Sequence, residues 1–335
     1  MGNCYTKYKL LSYLPISRNI MNMKNKTPLV AIHCLVYNHE PYLRDCFEGF
    51  VKQKTNFPFV AVVHEDVSTD GSAAIIREYE AKYPHIFKPI YETENQYRKP
   101  DGSLVRVMNQ AIDSTGAKYV AMCEGDDYWI DPLKLQRQVD ILEADESLMA
   151  VVSDTSIVDN HSQVLNPKRG GVVKGDVEGK YTLRDFFNNN HQYPTASVLY
   201  RNTHKDEVRA KFAHTRNAYL GDWTMWICLH IFGDFYFINE PMVAYRINPT
   251  SVTHTCNRVG RAKANWTICE SVADILPDEY ADISRSLRKN DWAWISLMFA
   301  YKHEKRYLPM CGCAIMALFK CPKALFEKWR NRKRK

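Results

Sequence analysis

Phe59-Val60-Ala61-Val62-Val63-His64-Glu65-Asp66-Val67-Ser68-Thr69-Asp70-Gly71-Ser72 is the stretch on which the fold turns, and Tyr119-Val120-Ala121-Met122-Cys123-Glu124-Gly125-Asp126-Asp127-Tyr128-Trp129 follows the same plan. Each is a short apolar, partly β-branched run closed by an acidic cluster. Such runs suit buried parallel strands, so both sets of carboxylates fall where a strand leaves the sheet at its C-terminal edge. Open α/β sheets bind their ligands at that edge. Like charges gathered in one crevice repel by about 4 kcal/mol per pair at ~4 Å and an effective dielectric of ~20. A divalent cation offsets that repulsion, and Mg2+ or Mn2+ held by one or two carboxylates completes its shell with substrate phosphates. The chemistry indicated is metal-assisted transfer from a nucleotide diphosphate.

Outward from these stretches, strands and helices alternate at the spacing of βαβ units from Thr27 onward. Leu29 to Val36 reads as the first strand. Asn38 offers an N-cap to a helix with an apolar stripe of Tyr42, Leu43, Cys46, Phe47 and Phe50. Asp70-Gly71-Ser72 starts a second helix, His85 to Tyr91 is a third strand, and Leu104 to Ser114 is helical. Lys118 to Cys123 is the fourth strand. Asp131-Pro132 opens another helix, with an acidic cap and proline at the first position. Met149 to Val152 closes this half as a fifth strand. The polar stretch from Lys168 to Gly179 reads as a loop or hairpin, Pro194 to Tyr200 as a strand, Asp222 to Ile231 as a helix, and Phe235 to Tyr245 as two short strands. From Val259 the pattern is helical.

The 335 residues are 45% hydrophobic and 12% aromatic, enough for a substantial core, so the chain is globular. Its net charge of +7 does not indicate a nucleic-acid partner, because Lys320 to Lys335 hold eight basic side chains against one acidic and account for all of it. Ten cysteines contain no CxxC pair and no spacing suited to zinc, which favours buried thiols and a cytoplasmic location. The longest apolar run, Met310 to Phe319, is far shorter than the ~20 residues that span a bilayer. Lys7, Lys9 and Arg18 interrupt any signal-peptide core. Met1-Gly2-Asn3-Cys4-Tyr5-Thr6 matches the myristoylation pattern, and the alternative is a disordered leader before a start at Met21 or Met23.

Four motifs together resemble glycosyltransferase family 2, the inverting enzymes of GT-A fold: Val36-Tyr37-Asn38, Glu65 to Ser72, Glu124 to Trp129, and Gly221-Asp222-Trp223-Thr224-Met225-Trp226. They span about Thr27 to Thr255. The resemblance implies an α/β GT-A (nucleotide-diphospho-sugar transferase) fold with a mostly parallel central sheet flanked by helices and a helical C-terminal extension. It divides the chain into a leader (1–26), a transferase domain (27–255) and a helical region (256–335). In such enzymes Glu65 and Asp66 recognise the nucleotide, with Asp66 accepting from a base N–H, which favours a UDP-sugar donor. Tyr37, Asn38, Asn109 and Glu124 are expected at the nucleotide sugar. Asp126 and Asp127 are expected to hold Mn2+ or Mg2+. Asp222 corresponds to the general base that deprotonates the acceptor hydroxyl. Arg246 and His254 fall in a region that closes over the diphosphate, and His254 is also a metal-ligand candidate.

Two departures from the family pattern stand out. Val67 replaces the usual glycine, and Glu124 replaces the common aspartate. The competing readings are structural: Asp66 and Ser68 capping a turn, Asp126-Asp127 as a solvated turn, and Asp222 as an N-cap. The acceptor implied is a glycan or lipid-linked glycan in cell-surface polysaccharide synthesis, at the inner face of a membrane. The basic amphipathic segment Met310 to Lys335 would make the membrane contact, or else be a helix docked on the protein. A sugar-1-phosphate nucleotidyltransferase would need a glycine-rich basic loop after the first strand, whereas Leu35-Val36-Tyr37-Asn38-His39-Glu40 has neither glycine nor lysine. A silent glycan-binding protein would have a broken acidic set, and here Asp66, Asp126, Asp127 and Asp222 are all present.

Overall fold

Apolar β-branched runs separated by amphipathic helices produce a central sheet covered on both faces. The computed structural model describes residues 27–97, 99, 101–170, 172–173, 175, 177–189, 191–215, 221–247, 257–289 and 291–320. The elements in order are β1 (Val30–Val36), α1 (Glu40–Val51), β2 (Phe59–Glu65), α2 (Ser72–Lys82), β3 (Phe87–Tyr91), α3 (Ser103–Ser114), β4 (Tyr119–Met122) and β5 (Tyr128–Trp129). There follow α4 (Lys134–Ala144), β6 (Leu148–Val158), β7 (Val164–Asn166), β8 (Gly179–Tyr181), α5 (Leu183–Asn189), β9 (Leu199–Arg201), α6 (Lys205–Thr215), α7 (Gly221–His230) and β10 (Asp234–Arg246). Four helices follow among the described residues: α8 (Arg258–Ile275), α9 (Ala281–Lys289), α10 (Asp291–His303) and α11 (Tyr307–Lys320).

The strand order is β3-β2-β1-β4-β9-β6-β10-β5, with β7 on β6 and β8 on β10. β3, β2, β1 and β4 are mutually parallel, and β6 is parallel to β10; β9 lies between β4 and β6 antiparallel to both. One face of β1 and β2 buries Val30, Ile32, Cys34 and Val36 against Phe47 and Phe50 of α1 and Tyr79 of α2. The other face buries Ala31 and Val62 against Met108 and Ile112 of α3. Alternate residues of one strand thus serve two cores, as the period of two requires. A third core joins β6 and β10 to Trp226 and Ile227 of α7 and to Ile268 and Val272 of α8. The helical C-terminal region is therefore packed on the sheet through α8.

Several elements differ from the expectations. Asn38 does not cap α1: His39 precedes the helix, and Asn38 sits in the left-handed region at φ 55° with its side chain turned to another loop. β6 continues six residues beyond Val152, because Ser153, Asp154, Thr155 and Ser156 are buried beside β10, where Ser153 Oγ donates to the Asp154 carbonyl, Asp154 Oδ1 accepts from the Thr155 N–H and Ser156 Oγ donates to the Pro167 carbonyl. The expected pair of strands at 235–245 is one 13-residue strand whose register shifts around Pro241, where the ring removes a ladder donor. Pro194 to Tyr200 begins as a 3-10 turn at Thr195–Ser197 before β9. Among the described residues, no helix is long and apolar enough to cross a membrane.

Candidate active site

Both acidic loops are hydrogen-bonded to the end of the same strand. On one side of β1, the Asp66 N–H donates to the Val36 carbonyl at 3.0 Å. On the other, the Cys123 and Gly125 N–H groups donate to the His33 and Leu35 carbonyls at 3.1 and 3.0 Å. The ladders of β2 and β4 thus run on into the two loops, which flank the Tyr37-Asn38 segment leaving β1. Asn38 fastens this centre to one flank, since its Oδ1 accepts from the Thr69 N–H at 2.7 Å while its own N–H donates to Ser68 Oγ at 3.0 Å. Tyr37 beside it is half-buried.

The first acidic pair is deeply set. Glu65 is buried, and its carboxylate accepts from the N–H groups of Ser68 at 2.7 Å and Val67 at 3.2 Å. These bonds hold a turn in which Val67 adopts φ 62°, a left-handed conformation that costs a β-branched residue about 1–3 kcal/mol. The turn that glycine ordinarily makes here is therefore kept by Glu65. Asp66 is also buried; its Oδ1 accepts from the Gln96 N–H at 2.6 Å and its Oδ2 from the Tyr97 N–H at 3.0 Å. Each carboxylate oxygen retains a second lone pair.

The second acidic loop divides its labour. Asp127 is buried, and its Oδ1 accepts from the Arg246 N–H at 2.8 Å. Burial, and then the neighbouring Asp126 charge, raises its carboxyl well above the usual range. Asp126 is half-buried, and among the described residues no hydrogen bond is made to its carboxylate. Glu124 is pushed up to about 8 by burial, then by the charges of Asp126 and Asp222. Asp222 lies in the first turn of α7, exposed, and is thus within electrostatic reach of the loop. Its Oδ1 accepts from the Trp223 N–H at 2.8 Å, a contact to the next residue rather than to the second or third N–H that an N-cap would hold. Gly125 has no room for a side chain, because a Cβ there would lie 2.7 Å from His39 Nδ1 and 3.1 Å from Val36.

Arg246 is the keystone of this loop. Its Nε donates to the Asp126 carbonyl at 2.8 Å, Nη1 to the Asp159 carbonyl at 2.9 Å and Ser162 Oγ at 3.1 Å, and Nη2 to Asp45 at 3.3 Å. The guanidinium is sandwiched between the rings of Tyr42 and Tyr128 at 4.5 and 5.5 Å. To touch a phosphate it would have to release these partners. Asn109 lines a cavity of about 30 Å3 shared with Ile112, Tyr200, Met225 and Leu229, room for a few waters. His254 lies outside the described residues.

Three residues not singled out from the sequence join the site. His39 is held below its ordinary pKa by burial, although the Asp126 and Asp70 charges pull the other way. The Tyr245 hydroxyl is raised to about 12 by burial and by the Asp127 charge, and the Arg169 guanidinium stands over its ring at 5.6 Å. Only the position of Tyr245, directly before Arg246 in a strand, was available as a signal.

Among the described residues, no group of three or more His, Cys, Asp or Glu side chains is gathered to hold a metal ion alone. The Asp126 carboxylate, which accepts no hydrogen bond among the described residues, nevertheless fits a Mg2+ or Mn2+ site of the kind that takes one or two carboxylates and substrate phosphates.

A sheet that presents two acidic loops at the end of one parallel strand, with a third carboxylate on a helix within electrostatic reach of Glu124, has the GT-A glycosyltransferase architecture. The family model described as Glycosyl transferase family 2 matches residues 32–208, more than half of the chain, and the chain belongs to that family. Uncharacterized protein Rv1520 of Mycobacterium tuberculosis is 29% identical over 233 residues, 68% of this chain and 61% of that protein. The chain thus spans about three-fifths of the length of such curated relatives. Among solved structures, S. aureus TarS 1-349 in complex with UDP superposes with a TM-score of 0.54 at 15% identity, covering 79% of this chain and 72% of that one. The mannosyltransferase PcManGT of Pyrobaculum calidifontis, in complex with GDP-Man and Mn2+, gives 0.51 at 16% identity, covering 91% and 84%.

Proposed function

We propose that the chain is a metal-dependent inverting glycosyltransferase that moves one sugar from a nucleotide-diphosphate donor to an acceptor hydroxyl. The observation that carries this reading is the attachment of both acidic loops to the end of β1, with Asp222 close enough to raise the Glu124 carboxyl. Residues 27–255 are the catalytic unit and 256–335 an extension.

The nucleotide lies along the Asp66 side, where the remaining lone pairs of Asp66 are available to a base N–H and the Tyr37-Asn38 segment forms the floor. An imide donor such as that of uracil suits a carboxylate, which favours a UDP-sugar. Glu124 faces the ribose or sugar, and burial, by raising its carboxyl, favours the protonated form that donates as well as accepts. Asp126 is the principal metal ligand, and Asp127 with Arg246 holds it in place. A divalent cation bound there would neutralise charge on the diphosphate as it leaves. Asp222 removes the proton of the acceptor hydroxyl as the oxygen attacks the anomeric carbon, and the bond from that carbon to the diphosphate oxygen breaks on the opposite face. The acceptor is a glycan or lipid-linked glycan of cell-surface polysaccharide, reached from the cytoplasmic side of a membrane.

Calorimetric titration of UDP, GDP and dTDP, with Mn2+ present or chelated, tests the donor site on the wild type and on Asp126→Ala. Metal-dependent binding of one nucleotide, lost in the variant, is expected. Absence of metal-dependent binding of all three would instead favour a silent glycan-binding protein on the same scaffold.

A further inference from the structure

We propose that the outer face of α11 docks on an anionic phospholipid surface. Of the large apolar side chains most open to water among the described residues, five lie on this one 14-residue helix: Tyr307, Leu308, Ile315, Leu318 and Phe319. Leu308 is 89% exposed and Phe319 81%, values that a helix packed within a protein does not leave on its apolar residues. The inner face is already occupied, since Cys313 packs with Leu297, Ala300 and Tyr301 of α10 and with Val259 and Ala262 of α8, and Ala317 packs with Ile295. The outer residues fall at 308, 315 and 318–319, so they form one stripe along the helix axis. Contiguous exposed apolar side chains of this kind mark an interaction site.

Charge selects the occupant. Tyr307–Lys320 contains no acidic residue, and the sequence from Lys320 to Lys335 adds eight basic side chains against one acidic. Lys302 and Lys305, at the turn between α10 and α11, are exposed on the other end of the stripe. A second copy of the chain would bring a like charge of +7 against this one, whereas an anionic bilayer attracts each Lys or Arg near its surface. At ~1.5 Å per residue the helix is about 21 Å long, less than the ~30 Å hydrocarbon core, so it lies in the interface plane and does not span. This docking needs no assumption about the sugar donor.

Flotation of the full chain with vesicles tests it, using equal parts phosphatidylglycerol and phosphatidylcholine against phosphatidylcholine alone. The wild type is expected to float only with the anionic vesicles. Leu318→Ser/Phe319→Ser alters two exposed residues and should weaken that binding at least about thirtyfold, because two large apolar side chains no longer enter the interface. Thermal unfolding and nucleotide calorimetry should be unchanged, which separates failure of docking from failure of the donor site. Equal flotation of variant and wild type, or no flotation with anionic vesicles, would overturn the proposal. So would a concentration-dependent dimer of the wild type that the double variant abolishes, which would give the face to a second copy.

Discussion

The backbone N–H of Arg246 closes on the buried carboxylate of Asp127 at 2.8 Å, while the side chain of the same arginine holds the carbonyl of Asp126. One residue at the end of β10 therefore grips both aspartates of the acidic loop, by main chain on one and by guanidinium on the other. Arg246→Ala keeps the first contact and deletes the second, with the bonds to Asp159, Ser162 and Asp45. The carbonyls left without donors should cost about 2–4 kcal/mol of stability, read from urea unfolding. Metal-dependent nucleotide affinity should fall at least about tenfold. A variant that unfolds earlier yet binds nucleotide normally would show that Arg246 supports only the fold.

Asp222→Asn removes the carboxylate proposed as the base without changing shape. The turnover number should drop by about 10²–10⁴, with donor affinity held within about twofold. Because the Asp222 charge helps to raise the Glu124 carboxyl, the variant should also lower the Glu124 titration, measurable by carboxyl NMR. A comparable loss of donor affinity would place Asp222 in binding rather than proton transfer.

Lys134 provides a pH dependence with a definite sign. It is wholly buried, 4.4 Å over the Trp129 ring, with Nζ donating to Gln138, and burial lowers it to about 7. Between about pH 7 and 10.5 the unfolded chain binds a proton that the folded chain does not. Stability from this group therefore rises with pH across that window, by at most about 1.4 kcal/mol per unit. Below pH 7 both states are protonated and the slope vanishes. Lys134→Met should abolish the slope and raise stability most at or below pH 7, as followed by urea denaturation from pH 6 to 10. An unaltered slope in the variant would assign it to another group.

Gly125→Ala tests how tightly the loop is seated. The new Cβ would stand 2.7 Å from His39 Nδ1, so either α1 or the loop must shift. Overpacking of this kind costs about 1–3 kcal/mol, and metal-dependent nucleotide binding should weaken with it. Gly221→Ala, where nothing lies within 4 Å, is the matched control and should leave thermal stability nearly unchanged.

The parallel half of the fold was legible because its strands are short, apolar and β-branched, and each is followed by a helix with a clear stripe. Val30–Val36 and Phe59–Glu65 were recognisable for that reason, as were the acidic positions at their ends. β6 was read too short and β10 was read as two strands because Ser153-Asp154-Thr155 and Asn239-Glu240-Pro241 look like breaks. Only a long parallel neighbour, absent from any local window, lets those residues stay in the sheet. In the candidate site, residue identity was legible and partnership was not. Nothing near Asp66 in sequence points to the N–H groups of Gln96 and Tyr97, and nothing near Arg246 points to Asp45, more than two hundred residues away.

The five residues between β4 and β5 are tied at both ends into one sheet, because Tyr128 and Trp129 pair with Ala244 and Val243 just before Arg246. A loop so anchored has lost its conformational freedom when the chain folds, not when a ligand arrives. Donor association should then show little entropic penalty from the Glu124–Asp127 side, and a heat-capacity change set by the surface covered rather than by segments becoming ordered.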